Sequence, residues 1–318
     1  MNRPLIQTVN LKKYFNTPRG KLHAVDNINL SINRGQTLGV VGESGCGKST
    51  LGRVLLRLVE ATGGQVLYNG EDILQYNAKQ VKKMRAKMQM IFQDPYASLN
   101  PRMTVSEIIA EPIRILGTIT DSRELNRKVF RLMSTVGLAG RLVNAYPHEL
   151  DGGRRQRIGV ARALAVDPEF IVCDEPVSAL DVSIQAQILN LLMDLQDEMG
   201  LTYMFITHDL SVVRHISNNI AVMYLGQCVE LCSAEELFRN PLHPYTRALL
   251  AAIPEPDLNH RMGEIIKGEL TSPIAPPAGC RFANRCKHCA DECLRQELSF
   301  SEVTPGHFVM CKRYSDDI

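Results

Sequence analysis

GESGCGKST, residues 42 to 50, decides the fold class of this 318-residue chain. Its first eight residues fit the pattern G-x-x-x-x-G-K-[ST], in which glycines let the backbone wrap around a phosphate and the lysine adds charge. The apolar run Thr37 to Val41 precedes this loop, and apolar residues recur at helical spacing from Leu51 to Leu58. A strand, a glycine-rich loop and a helix in this order predict a phosphate-binding α/β protein.

Composition excludes several other classes. Lysine and arginine (36) nearly balance aspartate and glutamate (34), so no whole-chain basic surface predicts nucleic acid as a partner. The first residues lack an apolar signal core, and no apolar run approaches the roughly 18 to 20 residues that span a bilayer. We therefore expect a soluble cytosolic chain, held at a membrane only by a partner. Nine cysteines without a leader argue against a secreted disulfide scaffold.

The pattern along the chain alternates between strand and helix. Ile28 to Ile32 alternate apolar and polar residues, which predicts a half-buried strand. Residues 94 to about 155 are mostly helical in pattern, and Phe170 to Cys173 return as a buried strand. A further amphipathic helix is predicted around residues 184 to 195, with strands from Thr202 to Leu231. The fold class is α/β.

Two carboxylates follow the predicted strand FIVC, at Asp174 and Glu175. Carboxyl ends of strands in open α/β sheets are where ligands bind. Asp174 is expected to organise a Mg²⁺ shell and Glu175 to polarise the attacking water or accept its proton. In the loop, Lys48 faces the phosphates and the Ser49 hydroxyl binds Mg²⁺. The predicted nucleotide-binding residues of the loop are Gly42, Glu43, Ser44, Gly45, Cys46, Gly47, Lys48, Ser49 and Thr50.

Six short motifs occur in a fixed order between about residues 10 and 230. They are the loop at 42–50, Gln93 in IFQDP, 151–156 before a helix, Asp174 with Glu175, Asp181 in SALD, and His208 in ITHD. This series resembles the ATP-binding-cassette (ABC) transporter ATPases. YASLNPRMTV at 96–105 and HPYTRALL at 243–250 resemble the peptide-and-nickel importer branch of that family.

The resemblance implies a P-loop NTPase cassette over residues 1–253. It has a mixed sheet core, an antiparallel N-terminal β subdomain and an inserted helical subdomain at about 94–155. Residues 254–318 would form a small cysteine-rich C-terminal extension, because proline and cysteine increase and periodicity is lost after Pro254.

The resemblance also assigns roles around ATP and Mg²⁺. Gln93 would touch Mg²⁺ and link the catalytic core to the helical subdomain, and His208 would contact the γ-phosphate and the water. Phe15 would stack on the adenine, with Tyr14 as the alternative, because an aromatic face holds a base well.

The signature motif departs from the LSGGQ of the family, since Asp151, Gly152, Gly153 and Arg154 follow Leu150. Family ATPases hydrolyse ATP at an interface, where this motif faces the nucleotide of a second subunit. An ionised Asp151 would bring a like charge to the γ-phosphate. Arg154 either neutralises Asp151 or reaches the phosphate itself. We expect an asymmetric heterodimer; the alternative is a regulatory subunit with negligible hydrolysis.

Five cysteines lie in the predicted C-terminal extension, residues 254–318, which we call the tail. Cys280, Cys286, Cys293 and Cys311 resemble the cysteine pattern of the peptide-importer extension, which implies a [4Fe-4S] cluster. Four thiolates can equally hold Zn²⁺, and thiols without metal remain a third alternative. Cys289 is a fifth candidate ligand that the pattern does not require.

These features predict the ATPase subunit of a bacterial importer at the cytoplasmic face of the membrane. Expected partners are a second ATPase subunit, two permease subunits contacted through residues 96–105, and indirectly an extracytoplasmic solute-binding protein. Oligopeptides or dipeptides are the expected solutes, with nickel or another solute as the alternative. A soluble cassette ATPase of DNA repair or translation is disfavoured, because the chain has one phosphate loop and no heptad run.

Overall fold

The computed structural model describes residues 3–253, 272–296 and 298–314. The strands are β1 (Ile6–Thr17), β2 (Gly20–Ile32), β3 (Thr37–Val41), β4 (Gly63–Tyr68), β5 (Glu71–Asp72), β6 (Met88–Ile91), β7 (Phe170–Asp174), β8 (Thr202–Ile206), β9 (Asn219–Tyr224), β10 (Gln227–Ser233), β11 (Ser301–Thr304) and β12 (His307–Val309).

The helices are α1 (Lys48–Leu55), α2 (Ala78–Lys87), α3 (Pro95–Ser98), α4 (Val105–Leu116), α5 (Ser122–Thr135), α6 (Gly152–Leu164), α7 (Val182–Met199), α8 (Leu210–Ile216), α9 (Ala234–Arg239), α10 (Pro244–Ala251) and α11 (Asp291–Arg295). Among the described residues, none of these helices is long and apolar enough to cross a membrane.

The described residues form two compact units. The first contains those up to Asn33, Thr37–Leu74 and those from Thr207 onward, and the second contains Arg34–Gln36 and Gln75–Ile206. Each unit is described by itself below.

The first unit contains an antiparallel sheet with the strand order β2-β1-β4-β5. β1 and β2 form a hairpin whose tight turn pairs Thr17 with Gly20. In β2, Ile28, Leu30 and Ile32 are buried while the residues between them are exposed, because successive side chains of a strand point to opposite faces. The predicted alternation and the antiparallel N-terminal subdomain are confirmed.

The first unit also contains the neighbouring strands β11-β12-β10-β9-β3 of a mixed sheet. β3 is parallel to β9, whereas β10 is antiparallel to both β9 and β12. The tail strand β12 pairs Val309 with Glu230, and Phe282 packs in the same core as Tyr224 and Tyr245. The described residues beyond 253 thus share a sheet and a core with the phosphate-loop strand, while the division at residue 253 stays a prediction.

The second unit contains three parallel strands and most of the helices. β6 pairs with β7 and β7 with β8 in parallel, and β7 and β8 are buried throughout. The helices α4 and α5 pack against each other and against α6. Helical structure fills the stretch predicted to be helical, and α6 carries it to Leu164.

The helix after the phosphate loop is shorter than the sequence predicts. Leu51, Val54 and Leu55 are buried on α1, but Leu58 lies beyond the helix and is 48% exposed. Arg57 has a left-handed φ of 50°, which an α-helix cannot accommodate. The prediction that Leu58 belongs to the apolar face was wrong for this reason.

Candidate nucleotide site

The phosphate loop connects β3 to α1 in the first unit. Gly42, Gly45 and Gly47 have φ values of 149°, 78° and 106°, which glycine adopts without a side-chain clash. A Cβ on Gly47 would lie 1.9 Å from the Ala24 carbonyl oxygen, so this position excludes every other residue. The glycines predicted from the motif therefore correspond to real constraints on the backbone.

Lys48 is buried at the start of α1, and its ammonium group is held by the loop. Nζ donates to the Gly42 carbonyl at 2.7 Å and to the Glu43 carbonyl at 3.0 Å. The positive end of α1 points at the same loop, which favours an anion there. This donor set fits the phosphates of ATP. Burial raises the pKa of the Cys46 thiol, so this cysteine stays neutral within the loop.

His208 lies near the strand that leads into the loop. The Thr207 amide donates to the Val40 carbonyl of β3 at 3.2 Å, and Asp209 caps α8 by accepting from the Ser211 amide at 2.8 Å. His208 lies between these two anchors and is exposed. The first unit thus brings His208 to the edge of the sheet where the phosphate loop begins.

The two candidate adenine-stacking residues differ in their surroundings. Tyr14 donates to the Asp26 carboxylate, and its ring stacks on His23 with 4.0 Å between centroids. Phe15 is 36% exposed, with the Lys13 ammonium 4.7 Å from its ring centroid. The contacts of Tyr14 fix its ring inside the subdomain, whereas Phe15 presents a surface to solvent.

The second unit brings Gln93 and Glu175 together. β6 and β7 are parallel with Ile91 opposite Cys173, so both side chains follow the same ends of neighbouring strands. Gln93 Nε2 donates to Glu175 Oε2 at 2.9 Å, and the Glu175 amide donates to the Ile206 carbonyl at 2.9 Å. Asp174 is 1% exposed. Glu175 has a φ of 46°, a strained value for a residue with a Cβ, which is typical of functional sites.

The signature motif, which differs here from the LSGGQ of the family, lies at the N-terminus of α6. Asp151 caps the helix by accepting from the Arg154 amide at 2.8 Å, and its other oxygen lies 3.4 Å from Arg154 Nε. Gly152 and Gly153 pack closely against neighbouring side chains, since a Cβ on Gly153 would lie 2.7 Å from Ile184. Both Gly153 and Arg154 line a cavity of about 330 Å³. Arg154 pairs with Asp151 in this structure, and its contact with a partner's phosphate stays a prediction.

The tail cysteines interact with one another. The Cys280 amide donates to the Cys293 carbonyl at 2.7 Å. Burial raises the pKa of the Cys280 thiol to about 12, and the neighbouring sulfurs of Cys293, Cys311 and Cys286 add to the rise. Cys289 is exposed. Four neighbouring thiols are a donor set that a cationic metal centre would stabilise as thiolates.

The spacing of these thiols bears on the choice of metal. Tetrahedral Zn²⁺ with Zn–S bonds of about 2.3 Å brings its sulfurs to about 3.8 Å from one another. Within the described residues, the one group of three potential ligands lying within 4.8 Å of each other is Glu230, Cys232 and His307, and it includes no tail cysteine. Cluster, zinc and metal-free thiols therefore stay the three alternatives for the tail cysteines.

Comparison with known proteins agrees with these motifs. The ABC transporter family matches residues 25–178, and the oligopeptide/dipeptide transporter C-terminal region matches residues 229–293. The oligopeptide transport ATP-binding protein OppF of Bacillus subtilis (strain 168) is 52% identical over 317 residues, covering 98% of this chain and 97% of that protein. The chain belongs to the ABC transporter family.

Further relatives of this ABC protein agree. A putative peptide import ATP-binding protein of Brucella ovis is 49% identical over 311 residues, covering 98% of each chain. Among solved structures, a dimeric post-hydrolysis state of an ATP-binding cassette bound to ADP and Pi matches with a TM-score of 0.67 and 28% identity, covering 72% of this chain and 98% of that one. The predicted cassette fold is thereby confirmed.

Three contacts of this ABC protein were not predicted from the sequence. Arg285 pairs with Glu43 of the phosphate loop, Tyr245 accepts from the Glu43 amide, and Arg281 pairs with Asp26. Tyr245 belongs to the HPYTRALL string, which marked only a family branch. Arg285 and Glu43 are 242 positions apart, so no local pattern could have joined them.

Proposed function

We propose that this ABC protein is the ATP-hydrolysing subunit of an importer for oligopeptides or dipeptides. The observation that supports it most strongly is the similarity to OppF over nearly the full length of both proteins. The match at residues 229–293 to the oligopeptide/dipeptide transporter C-terminal region supports the same solute class.

The residue roles follow from the chemistry of each side chain. Lys48 would supply positive charge to the β- and γ-phosphates, and the Ser49 hydroxyl, Gln93 and Asp174 would hold Mg²⁺. Glu175 polarises the attacking water, and its bond from Gln93 at 2.9 Å keeps the carboxylate oriented before the nucleotide arrives.

Two further roles concern the nucleotide's ends. His208 contacts the γ-phosphate, and its exposure at the sheet edge beside the phosphate loop supports this role. Phe15 stacks on the adenine, and the engagement of Tyr14 with Asp26 favours Phe15 over Tyr14.

The partners are a second ATPase subunit, two permeases and, indirectly, an extracytoplasmic solute-binding protein. We place the chain peripherally at the cytoplasmic face of a bacterial membrane. Asp151 and Arg154 would face a partner's nucleotide, and the replacement of the usual serine by Asp151 supports a heterodimer with one slower site. A subunit that mainly regulates its partner is the second candidate, and Asp151 is what favours it.

The tail would hold a [4Fe-4S] cluster through Cys280, Cys286, Cys293 and Cys311. When bound, the cluster would supply four metal–thiolate bonds that cross-link segments of the tail. Spectra of anaerobically purified protein, together with iron and zinc analysis, test this. Cys293→Ser should lose the visible absorption and the iron, whereas the exposed Cys289→Ser should retain both. A colourless protein with stoichiometric zinc would exclude the cluster.

The transport function is tested in vesicles that contain the permeases and both ATPase subunits. ATP inside the cytoplasmic compartment should drive uptake of a labelled oligopeptide, and Glu175→Gln should abolish uptake and vanadate-sensitive turnover while ATP still binds. Parallel assays with labelled nickel and a free amino acid measure solute class. Uptake of nickel but not of peptide would overturn the peptide assignment.

A further inference from the structure

Glu43 carries a negative charge within the loop that must bind the phosphates of ATP. Its carboxylate is 22% exposed and is gripped by Arg285, whose two terminal nitrogens donate to the two carboxylate oxygens at 2.9 and 3.1 Å. The Arg285 side chain is 7% exposed, and one of its terminal nitrogens also donates to the Tyr224 hydroxyl at 3.3 Å. Such a two-point bond fixes both the charge and the direction of the glutamate side chain.

The backbone of Glu43 is held as well. Its amide donates to the buried Tyr245 hydroxyl at 2.9 Å, and its carbonyl accepts from Lys48 Nζ at 3.0 Å. Glu43, whose carbonyl accepts from the phosphate-binding Lys48, is thus itself held by two side chains from beyond the phosphate loop. We call Arg285, Tyr245 and Glu43 the loop brace.

We propose that the loop brace tunes ATP binding, with Arg285 as a positioning residue that cancels the charge of Glu43 and keeps its carbonyl on Lys48. An uncompensated carboxylate beside a triphosphate repels it, and the repulsion is large where water is partly excluded. Arg285 removes that repulsion without touching the nucleotide. Arg285 therefore raises the affinity for ATP, and this contribution adds to that of the phosphate-loop residues identified from the motif.

The brace also connects the loop to the cysteine-rich tail. Arg285 ends a short 3-10 helix at Ala283–Arg285, and the next residue is Cys286, whose amide donates to the Ala283 carbonyl at 3.1 Å. Anything that displaces Cys286 therefore displaces Arg285. This connection, and not the brace itself, rests on the proposed metal centre, because the brace consists of protein atoms alone.

The test is a double-mutant cycle on the purified full-length chain. MgATP affinity is measured by displacement of a fluorescent ATP analogue, and kcat is measured in the assembled complex. Arg285→Ala should raise the Kd for ATP by about tenfold, the effect of one uncompensated charge several ångströms from an anion. Glu43→Gln should tighten binding, and the double variant should return to within about threefold of the native Kd, because both charges are then gone.

Matched controls separate this role from plain destabilisation. Lys312→Ala breaks another ion pair of the tail, the one with Glu292 at 3.6 Å, and should leave the Kd unchanged. If Arg285→Ala does not fold, Arg285→Gln keeps hydrogen bonding without the charge and enters the same cycle. A double variant as weak as Arg285→Ala, or a fall in kcat with an unchanged Kd, would overturn the proposal. If the Kd values of the brace variants are as expected but the native complex does not take up peptide in vesicles, the proposed solute is contradicted and the loop brace is not.

Discussion

A fully buried carboxylate, Glu230, joins three segments of the first unit. It lies on β10 with no exposed surface, and Oε1 accepts from the Leu242 amide at 2.7 Å while Oε2 accepts from the His243 amide at 2.9 Å. His307 of the tail strand β12 places Nε2 2.8 Å from Oε1. We predict that Glu230→Gln destabilises the protein and loosens the tail strands.

The magnitude follows from these bonds. The introduced glutamine can keep an oxygen facing Leu242 and His307, but its NH₂ group then faces the His243 amide, and that donor loses its acceptor. An unmatched buried donor costs about 1.5 kcal/mol, and the lost charge on the remaining bonds costs about as much again. The sum is about 3 kcal/mol, which corresponds to a fall in Tm of roughly 4 to 5 °C for a chain of this size.

The assay is thermal unfolding combined with hydrogen exchange of β11 and β12. Glu235→Gln is the matched control, since Glu235 is exposed and makes the same change of charge. It should shift Tm by about 1 °C or less. The reasoning is refuted if Glu230→Gln melts with the native protein and the amides of the tail strands stay equally protected.

The destabilisation caused by Glu230→Gln should depend on pH, because the Glu230 carboxylate can be protonated. Burial alone would raise the pKa of Glu230, but the bonds from His307, Thr246, Leu242 and His243 outweigh it and hold the pKa below its ordinary value. A lowered folded-state pKa means that the stabilisation is fully present above the unfolded-state pKa of 4.5 and is lost as the pH falls through the folded value. The difference in stability between native protein and Glu230→Gln should therefore shrink as the pH falls below 4.5.

Three further predictions concern the nucleotide. Gly47→Ala should abolish ATP binding, measured by titration, because its Cβ meets a backbone carbonyl, whereas Gly45→Ala should weaken it less, since nothing lies within 4 Å. Asp151→Ser should raise the ATP turnover of the assembled complex, and an unchanged rate would remove the reason for asymmetry. Phe15→Ala should raise the Kd for ATP about tenfold through lost stacking, whereas Tyr14→Phe should lower Tm instead, because it loses a hydrogen bond to a carboxylate.

The parts of the fold that follow local rules could be predicted from the sequence. β3 has the predicted bounds because the mainly apolar segment Thr37 to Val41 leads into the glycine-rich loop. The alternation at Ile28 to Ile32 indicates a strand with one buried face. The end of α1 was missed because Leu58 continues the helical spacing, while a left-handed Arg57 ends the helix. Backbone conformation at a single residue leaves no trace in hydrophobic periodicity.

The residues of the candidate site also fall into those that the sequence predicts and those that only the three-dimensional structure reveals. The glycine-rich loop pattern identifies Lys48, and the end of a buried strand identifies Glu175, whereas Gln93 was predicted only from the resemblance to the ABC family. The sequence cannot identify Arg285 or Tyr245, because their contact with the phosphate loop depends on how the tail and α10 pack in three dimensions. Long-range packing, unlike loop geometry, is set by the whole core rather than by neighbours in sequence.

The geometry of the signature limits how strong the proposed asymmetry can be. Asp151 and Arg154 are 60% and 50% exposed in their side chains, and exposed pairs of this kind contribute only about 0–1 kcal/mol. Arg154 therefore offsets the charge of Asp151 only in part, and salt weakens this pairing further. The helix N-terminus favours the Asp151 carboxylate as a cap, so this residue retains the structural part of the serine's role. Unlike serine, an ionised Asp151 cannot donate a hydrogen bond to a γ-phosphate. We therefore predict that the partner's ATP site hydrolyses ATP more slowly while the N-terminus of α6 keeps its structure.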